Sequence, residues 1–323
     1  MSEPTGRAPG SSTDGHAGPS ASAGLRPCAG TPASPASAQA GPHPKGHEGA
    51  PRGPWGSTDV SVGRGTVTFV TSHDNPLLVR LRRLVRDGAA YRKAGEVWIE
   101  GDHLCRAAVA RGRVPTHAVL TEAAWKDAAL RELAAAAARI VVVPQALFAA
   151  ISTLESTAPI GFVVPWQAAH ELQPGAPSVV LDRLQDAGNV GSILRSAAAL
   201  GATQVLALKG TAALWSPKVL RAGMGAHFAL HLVEGLAAAE LAALRVPLVA
   251  TGSHAGTPLH QARLPEPCAW VVGHEGQGID AGLRERCALE VRIPQPGGEE
   301  SLNAAAAAAI CLYESLRRRV ARQ

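Results

Sequence analysis

Three segments of this 323-residue chain place glycine and polar side chains directly behind apolar runs: LDRLQDAGNVGSILR at 181–195, VVGHEGQGID at 271–280 and IPQPGGEESLN at 293–303. Loops that leave the carboxyl ends of strands in an open α/β sheet are where such sheets bind ligands. Glycine in them lets the main chain approach a ligand closely. The polar residues that accompany it, Asn189, Glu275, Ser301 and Asn303, supply donors and acceptors to fix one. Arg195 has only Gly191, Ser192, Ala198 and Ala199 as its helical neighbours, which leaves room beside the guanidinium for a bulky partner. The apolar residues around it, Val190, Ile193, Leu194, Ala197 and Leu200, predict a helix largely packed in, and a buried arginine needs an anion or a set of acceptors.

Other chemistries fit these residues less well. No GxGxxG follows the first strand, and no acid stands about twenty residues beyond it, which argues against a dinucleotide-dependent oxidoreductase. His227 and His231 have the spacing of two metal ligands on one helix face, but AHFALHLV reads as a strand, so no metal site is expected. His274 reads as loop structure rather than acid–base machinery. Cys28, Cys105, Cys268, Cys287 and Cys311 are scattered without a CxxC pair, as reduced thiols in a cytoplasmic compartment would be.

The elements that must position the three loops are legible as an alternation. SVVLDRL, TQVLAL, FALHLV, PLVAT, AWVVG and LEVRIP read as strands, with helices between them at GNVGSILRSAAALG, around Pro217 to Arg221 and at LAAAELAAL. A long helix from about Leu302 to Arg319 closes the chain, its arginines complementing the helix dipole. Strands alternating with helices imply an α/β domain over 178–323. A second α/β unit is expected over 63–166, with a turn-rich linker at 167–177. Residues 1–62 are dense in Pro, Gly, Ser and Ala with no apolar period, and are expected to be disordered.

Charge points towards a polyanion. The chain carries a net +5 with 31 Lys and Arg against 26 Asp and Glu, and no apolar run approaches the roughly 18 residues of a membrane span. The segment NPLLVRLRRLVRDG predicts an amphipathic helix, capped by Asn75 and opened by Pro76, with Leu77, Leu81, Leu84 and Val85 on its apolar face. Arg80, Arg82, Arg83 and Arg86 crowd the remainder against Asp87 alone, which suits a phosphate track.

Read together, the three loops resemble the motifs of the SpoU (TrmH) family within the SPOUT methyltransferase superfamily. Asp182, Asn189, Gly191 and Arg195 match the first motif; Gly273, Glu275, Gly276 and Gly278 the second; Ile293, Pro294, Gly297, Ser301, Leu302 and Asn303 the third. SPKVLRAGMGAHF, with Pro217, Arg221, Gly225 and Ala226, resembles the family's intervening segment. Upstream, NPLLVRLRRL, Arg92, Gly95 and Ile99 to Gly101 resemble the substrate-binding domain that many members carry. Gln295 and Glu299 depart from the pattern by replacing apolar residues, and the alanine run Ala304 to Ala308 departs from it by replacing a more varied Val/Ser pattern.

The resemblance implies a SPOUT domain with a deep trefoil knot, preceded by a small L30e-like RNA-binding domain, in a homodimer whose subunits complete each other's sites. It implies S-adenosyl-L-methionine as cofactor, held by Gly273, Ile293 and Leu302 with Thr251 and Gly278 beside them, largely through backbone groups. It implies 2′-O-methylation of a ribose in structured RNA, ribosomal RNA ahead of tRNA, with Arg195, Asn189, Glu275, Ser301 and Asn303 as catalytic residues. Arg80, Arg83, Arg92 and Arg221 are the expected RNA contacts. Family proposals make the arginine a base; a guanidinium with a pKa above about 12 suits phosphate contact and charge stabilisation better. A non-catalytic RNA-binding assembly factor of the same fold is the competing reading.

Overall fold

The computed structural model describes residues 57–62, 65–154, 158–252, 255–297 and 301–322. Residues 1–56, most of the expected tail, lie outside the described residues, as does Glu299. Ordered chain starts earlier than the apolar pattern suggests. Strand β1 (Ser57–Val62), inside the segment expected to be disordered, pairs antiparallel with β2 (Gly65–Val70). Its pairing along a neighbouring strand overrides an unfavourable local composition.

The first domain continues with α1 (Pro76–Arg86), α2 (Ala90–Ala94), β3 (Glu96–Glu100), α3 (Asp102–Ala110), β4 (His117–Thr121), α4 (Glu122–Trp125), α5 (Ala128–Ala134), β5 (Arg139–Val143), α6 (Gln145–Ala149) and β6 (Ile160–Pro165). Its sheet runs β1-β2-β5-β4-β6-β3, parallel through β2, β5 and β4, with β6 and β3 turned antiparallel. The Asn75 side chain caps α1 by accepting from the Leu77 amide at 3.0 Å, and Pro76 opens it as expected. The buried face is Leu78, Leu81 and Leu84, a slight rotation from the predicted stripe that leaves Leu77 and Val85 only half buried.

The second domain comprises β7 (Ser178–Leu181), α7 (Ala187–Ala199), β8 (Gln204–Leu208), α8 (Pro217–Gly223), β9 (His231–Leu236), β10 (Leu248–Thr251), β11 (Thr257–Pro258), β12 (Ala269–Val272), α9 (Ala281–Glu285), β13 (Leu289–Arg292) and α10 (Ala304–Val320). All seven strands are parallel in the order β11-β13-β10-β12-β7-β8-β9. Val179 and Leu181 pack into the core on one face and Val180 into the core on the other, which is why β7 reads as an unbroken apolar run. After β12 the chain crosses to the far side of β10 to lay down β13, and α10 then returns to pack on α7 and β12. This doubling back brings the loops that follow β7, β12 and β13 to one end of the sheet.

Two elements differ from expectation. Ala226–Ala229 is a 3-10 turn, with the strand starting only at His231, and Ala238–Ala243 is also 3-10 rather than α-helical. His227 in that turn is fully buried, donates from Nε2 to the Leu214 carbonyl at 2.8 Å, and is held neutral by burial, its pKa pushed down to about 4. His231 instead bonds the Glu171 carbonyl at 2.7 Å, so the two rings serve different contacts.

The domains are docked through α8 and the turn after it. Leu220 and Phe228 are buried in the first domain's core, with Trp215 packed against it. The Tyr91 hydroxyl donates to Glu234 at 2.7 Å, Arg92 pairs with the same carboxylate at 3.0 Å, and the Leu214 amide donates to it at 2.8 Å. Burial and the Glu234 charge push the Tyr91 phenol well above its usual range, so it remains a donor. The segment expected as a linker runs along β9, where Ala169 bridges Val233.

Candidate active site

A hydrogen-bonded chain of side chains ties the three loops together. Asp186 caps α7, accepting from the Asn189 amide at 2.6 Å, and this fixes the Asn189 side chain at the helix entrance. Asn189 Nδ2 donates to Glu275 at 3.2 Å, and Asn303 Nδ2 donates to Asn189 Oδ1 at 2.9 Å. Glu275 also accepts from the amides of Gln185 (3.3 Å) and Asp186 (3.2 Å). Partial burial alone would raise the Glu275 carboxyl, but donors from its own loop, Asn189, Asp186 and Gln185 together hold it below the usual carboxylate range. Its oxygens are therefore ionised acceptors that clamp loop to loop.

Asn303 does two things at once. Its Oδ1 caps α10 by accepting from the amides of Ala305 (2.9 Å) and Ala306 (3.2 Å), while its amide reaches Asn189. Helix capping therefore falls to Asn303, and Ser301 is exposed with no side-chain partner among the described residues.

Below the clamp, the loop after β12 is braced from inside. Asp182, only 2 % exposed, accepts from Arg183 (2.9 Å) and from the Asp280 amide (2.7 Å). Arg183 in turn donates to Gln277 at 3.2 Å. His274 Nδ1 accepts from the amides of Gly276 and Gln277 at 3.0 and 3.2 Å, the structural part expected of it. Gly273 has no room for a side chain: a Cβ there would sit 2.4 Å from the Gly278 carbonyl carbon and the Ile279 nitrogen. Asp182 was visible as a motif acid; the bracing roles of Arg183 and Gln277 had no sequence signal, because each depends on a partner about ninety positions away or on local backbone geometry.

The loops enclose a cleft of about 370 Å³. Thr251, Gly273, Gly278, Ile293 and Leu302 line it, together with Asn189, Glu275, Ser301 and Asn303. Arg195 does not. The buried face of α7 is Val190, Gly191, Ile193, Leu194 and Ala197, and Arg195 lies off that face, exposed, with no hydrogen-bond or ion-pair partner among the described residues. The packed-in arginine expected from its neighbours is thus corrected: the helix is buried and this side chain is not. A second cavity of about 220 Å³, between the end of α10 and the start of β7, contains none of the three loops.

The expected RNA-contact arginines separate into two groups. Arg83 is exposed and unpartnered among the described residues, whereas Arg80 pairs with Glu96 at 2.6 Å. Arg92 and Arg221 face the domain junction, Arg92 on Glu234 and Arg221 donating to the Thr153 carbonyl at 3.1 Å.

The cleft suits a nucleoside-bearing sulfonium donor. Val272, Ile293, Leu302 and Ala307 give it apolar walls, and the polar groups stand on one rim. Gln295 lines it with a buried Oε1 that has no hydrogen-bond partner among the described residues, an acceptor suited to a donor such as an exocyclic amine. The replacement of an apolar motif residue by Gln295 therefore adds a polar contact to the cleft. Among the described residues no cluster of His, Cys, Asp and Glu is placed to hold a metal, and no helix is long and apolar enough to cross a membrane.

Comparison with known proteins agrees with this geometry. Residues 176–313 match the family model described as the SpoU rRNA Methylase family. The chain is 32% identical over 260 residues to an uncharacterized tRNA/rRNA methyltransferase of Synechocystis, covering 78% of this chain and 94% of that protein. It is 34% identical over 169 residues to the 23S rRNA (guanosine(2553)-2'-O)-methyltransferase RlmP of Bacillus subtilis, covering 51% of this chain and 68% of that one. Among solved structures, the SpoU methyltransferase AviRb of Streptomyces viridochromogenes, in complex with its cofactor AdoMet, superposes with a TM-score of 0.70 at 26% identity, over 76% of this chain and 98% of that one. Fold, loop constellation and relatives converge, and the chain belongs to the SpoU rRNA methylase family, whose cofactor is S-adenosylmethionine.

Proposed function

We propose that this protein methylates a ribose 2′-hydroxyl of ribosomal RNA. The observation that carries the reading is the Asn303–Asn189–Glu275 chain, which locks three loops distant in sequence around one cleft. When bound there, S-adenosylmethionine supplies an electrophilic methyl group. The protein's own work is positioning, which can account for much of such a rate. Gly273 and Gly278 offer close main-chain approach, Ile293 and Leu302 apolar contact, and Gln295 an acceptor. Ser301, exposed at the cleft with no side-chain partner among the described residues, would hold the ribose hydroxyl.

Arg195 would orient the phosphate beside that ribose and stabilise charge as the hydroxyl loses its proton. Its absence from the cleft of its own chain supports a homodimer in which it serves the cleft of a second copy. Helix α10, packed on the helix that carries Arg195, exposes Ile310 (40%) and Tyr313 (57%), apolar surface that a second copy would cover. The cations of α1 without a side-chain partner among the described residues, Arg83 and Arg86, suit the phosphate backbone of the substrate, which fixes register rather than sequence. A site of action on ribosomal RNA places the protein in the cytoplasm.

The relatives include a tRNA/rRNA methyltransferase and a 23S rRNA methyltransferase, so the test has two arms. Full-length protein is incubated with methyl-labelled donor and either unmodified 23S rRNA transcript or bulk unmodified tRNA transcripts. Label entering the ribosomal transcript alone is expected. Label entering tRNA alone would redirect the substrate, and donor binding with no transfer to either would favour the assembly-factor reading.

A further inference from the structure

Two cavities flank the Arg92–Glu234 pair where the domains meet, one of about 370 Å³ reaching Trp166 and His170, the other of about 190 Å³ reaching Lys209 and Gly210. They share Arg92, Glu234 and Gly235 as lining, so they adjoin at that pair and together make up the recess at the junction. The recess leads towards the catalytic cleft. Gly210 lies against the Arg183 side chain, and Arg183 donates to Gln277 of the loop that lines that cleft.

Along this path the available groups are of two kinds. Arg183, Lys209 and Arg92 are cationic; the Lys209 side chain has no polar partner among the described residues, Arg92 remains 47% exposed despite its ion pair, and Arg183, paired with Asp182, closes the row. Trp166 stands at the far end, half buried, held edge-on to Tyr91 with ring centroids 4.8 Å apart, and lining the recess. Glu234 is the one acid of the recess, and the Tyr91 hydroxyl, Arg92 and the Leu214 amide already satisfy it.

A row of cations ending on an aromatic ring is the arrangement that binds unpaired nucleotides, phosphates on the charges and a base on the ring. The geometry points to a subsite at the domain junction for a single-stranded nucleotide flanking the methylated one. Its base lies on Trp166 and its phosphates run past Arg92 and Lys209 towards Arg183. The recess volume falls in the range of ligand pockets, roughly 300–1,000 Å³. The inference rests on the proposed RNA substrate but not on the transfer step, and it gives the domain docking a purpose: Tyr91 and Glu234 hold Trp166 and Arg92 at a fixed offset from the cleft.

The test compares full-length wild type with Trp166→Ala, Trp166→Phe and Lys209→Ala on unmodified 23S rRNA transcript. Filter binding is measured at several salt concentrations, and donor binding by calorimetry. Trp166→Ala is expected to weaken RNA binding about tenfold, the size of one lost base stack, with Trp166→Phe recovering most of it. Lys209→Ala is expected to lower the salt dependence by about one phosphate contact. Donor affinity should not move in any of them. Unchanged RNA affinity and salt slope in both alanine variants would overturn the subsite. So would a Trp166→Ala defect matched by lost donor binding and a lower Tm while Lys209→Ala behaves as wild type, since Trp166 would then be structural only. Wild type that binds RNA through these residues yet transfers no methyl group would leave the subsite standing and reject the transfer reading.

Discussion

Arg195→Ala is expected to lower methyl transfer by about 10²–10³-fold while leaving S-adenosylmethionine affinity within twofold, measured by single-turnover transfer and calorimetry on the same preparation. The asymmetry follows from the geometry. Arg195 lines no part of the donor cleft and has no protein partner to lose among the described residues, so truncation leaves neither a buried unpaired group nor a cavity. The proposed dimer sharpens this expectation. Gly273→Val should abolish donor binding, because the new side chain must displace the main chain at Gly278 and Ile279. Mixing two inactive proteins, Arg195→Ala and Gly273→Val, should then restore transfer, since a mixed dimer contains one intact cleft served by one intact arginine. A mixture that exchanges subunits yet stays inactive would place Arg195 at its own cleft or outside the reaction.

The second large effect lies in the clamp. Asn189→Ala removes the donor to Glu275 and the acceptor for Asn303 together. Both bonds are solvent-exposed, so their loss costs about 0.5–1.5 kcal/mol, and donor affinity should fall roughly 2- to 13-fold. Transfer should fall with it, while Tm changes little because the cores of the sheet are untouched. Loss of transfer with full donor affinity would show that Asn189 meets the substrate and not the loops. Asn189→Asp makes a complementary probe: it keeps the acceptor for Asn303 but sets a second carboxylate against Glu275, and is expected to be the worse variant at neutral pH.

Much of this site was legible because its signals are local. Gly273, Gly276 and Gly278 mark a tight loop within a few residues, and the apolar runs before each loop announce strands buried on both faces. What the sequence hid depends on distant partners. Arg92 and Arg221 look like free cations in the sequence, and each finds an acceptor across the junction, Glu234 and the Thr153 carbonyl, with Arg92 still 47% exposed. The apolar neighbours of Arg195 suggest a packed-in side chain, but helical phase puts Val190, Ile193, Leu194 and Ala197 on one face and Arg195 off it. Ser301 and Asn303 both suit a helix entrance, and only the chain's path after β13 assigns the cap to Asn303. Strand β1 could not be foreseen within a Pro- and Gly-rich context, since its pairing with β2 is what makes it a strand. The resemblance to SpoU motifs supplied what periodicity could not, namely that three separated loops belong to one site.

The proposed reaction sets a donor methyl group against a sugar oxygen in this cleft. It is tested most directly by methylating 23S rRNA transcript with labelled donor and hydrolysing the product in alkali. A 2′-O-methyl group removes the hydroxyl that alkali needs, so the account predicts label in an alkali-resistant dinucleotide. Label recovered in mononucleotides, as a methylated base would give, would contradict it.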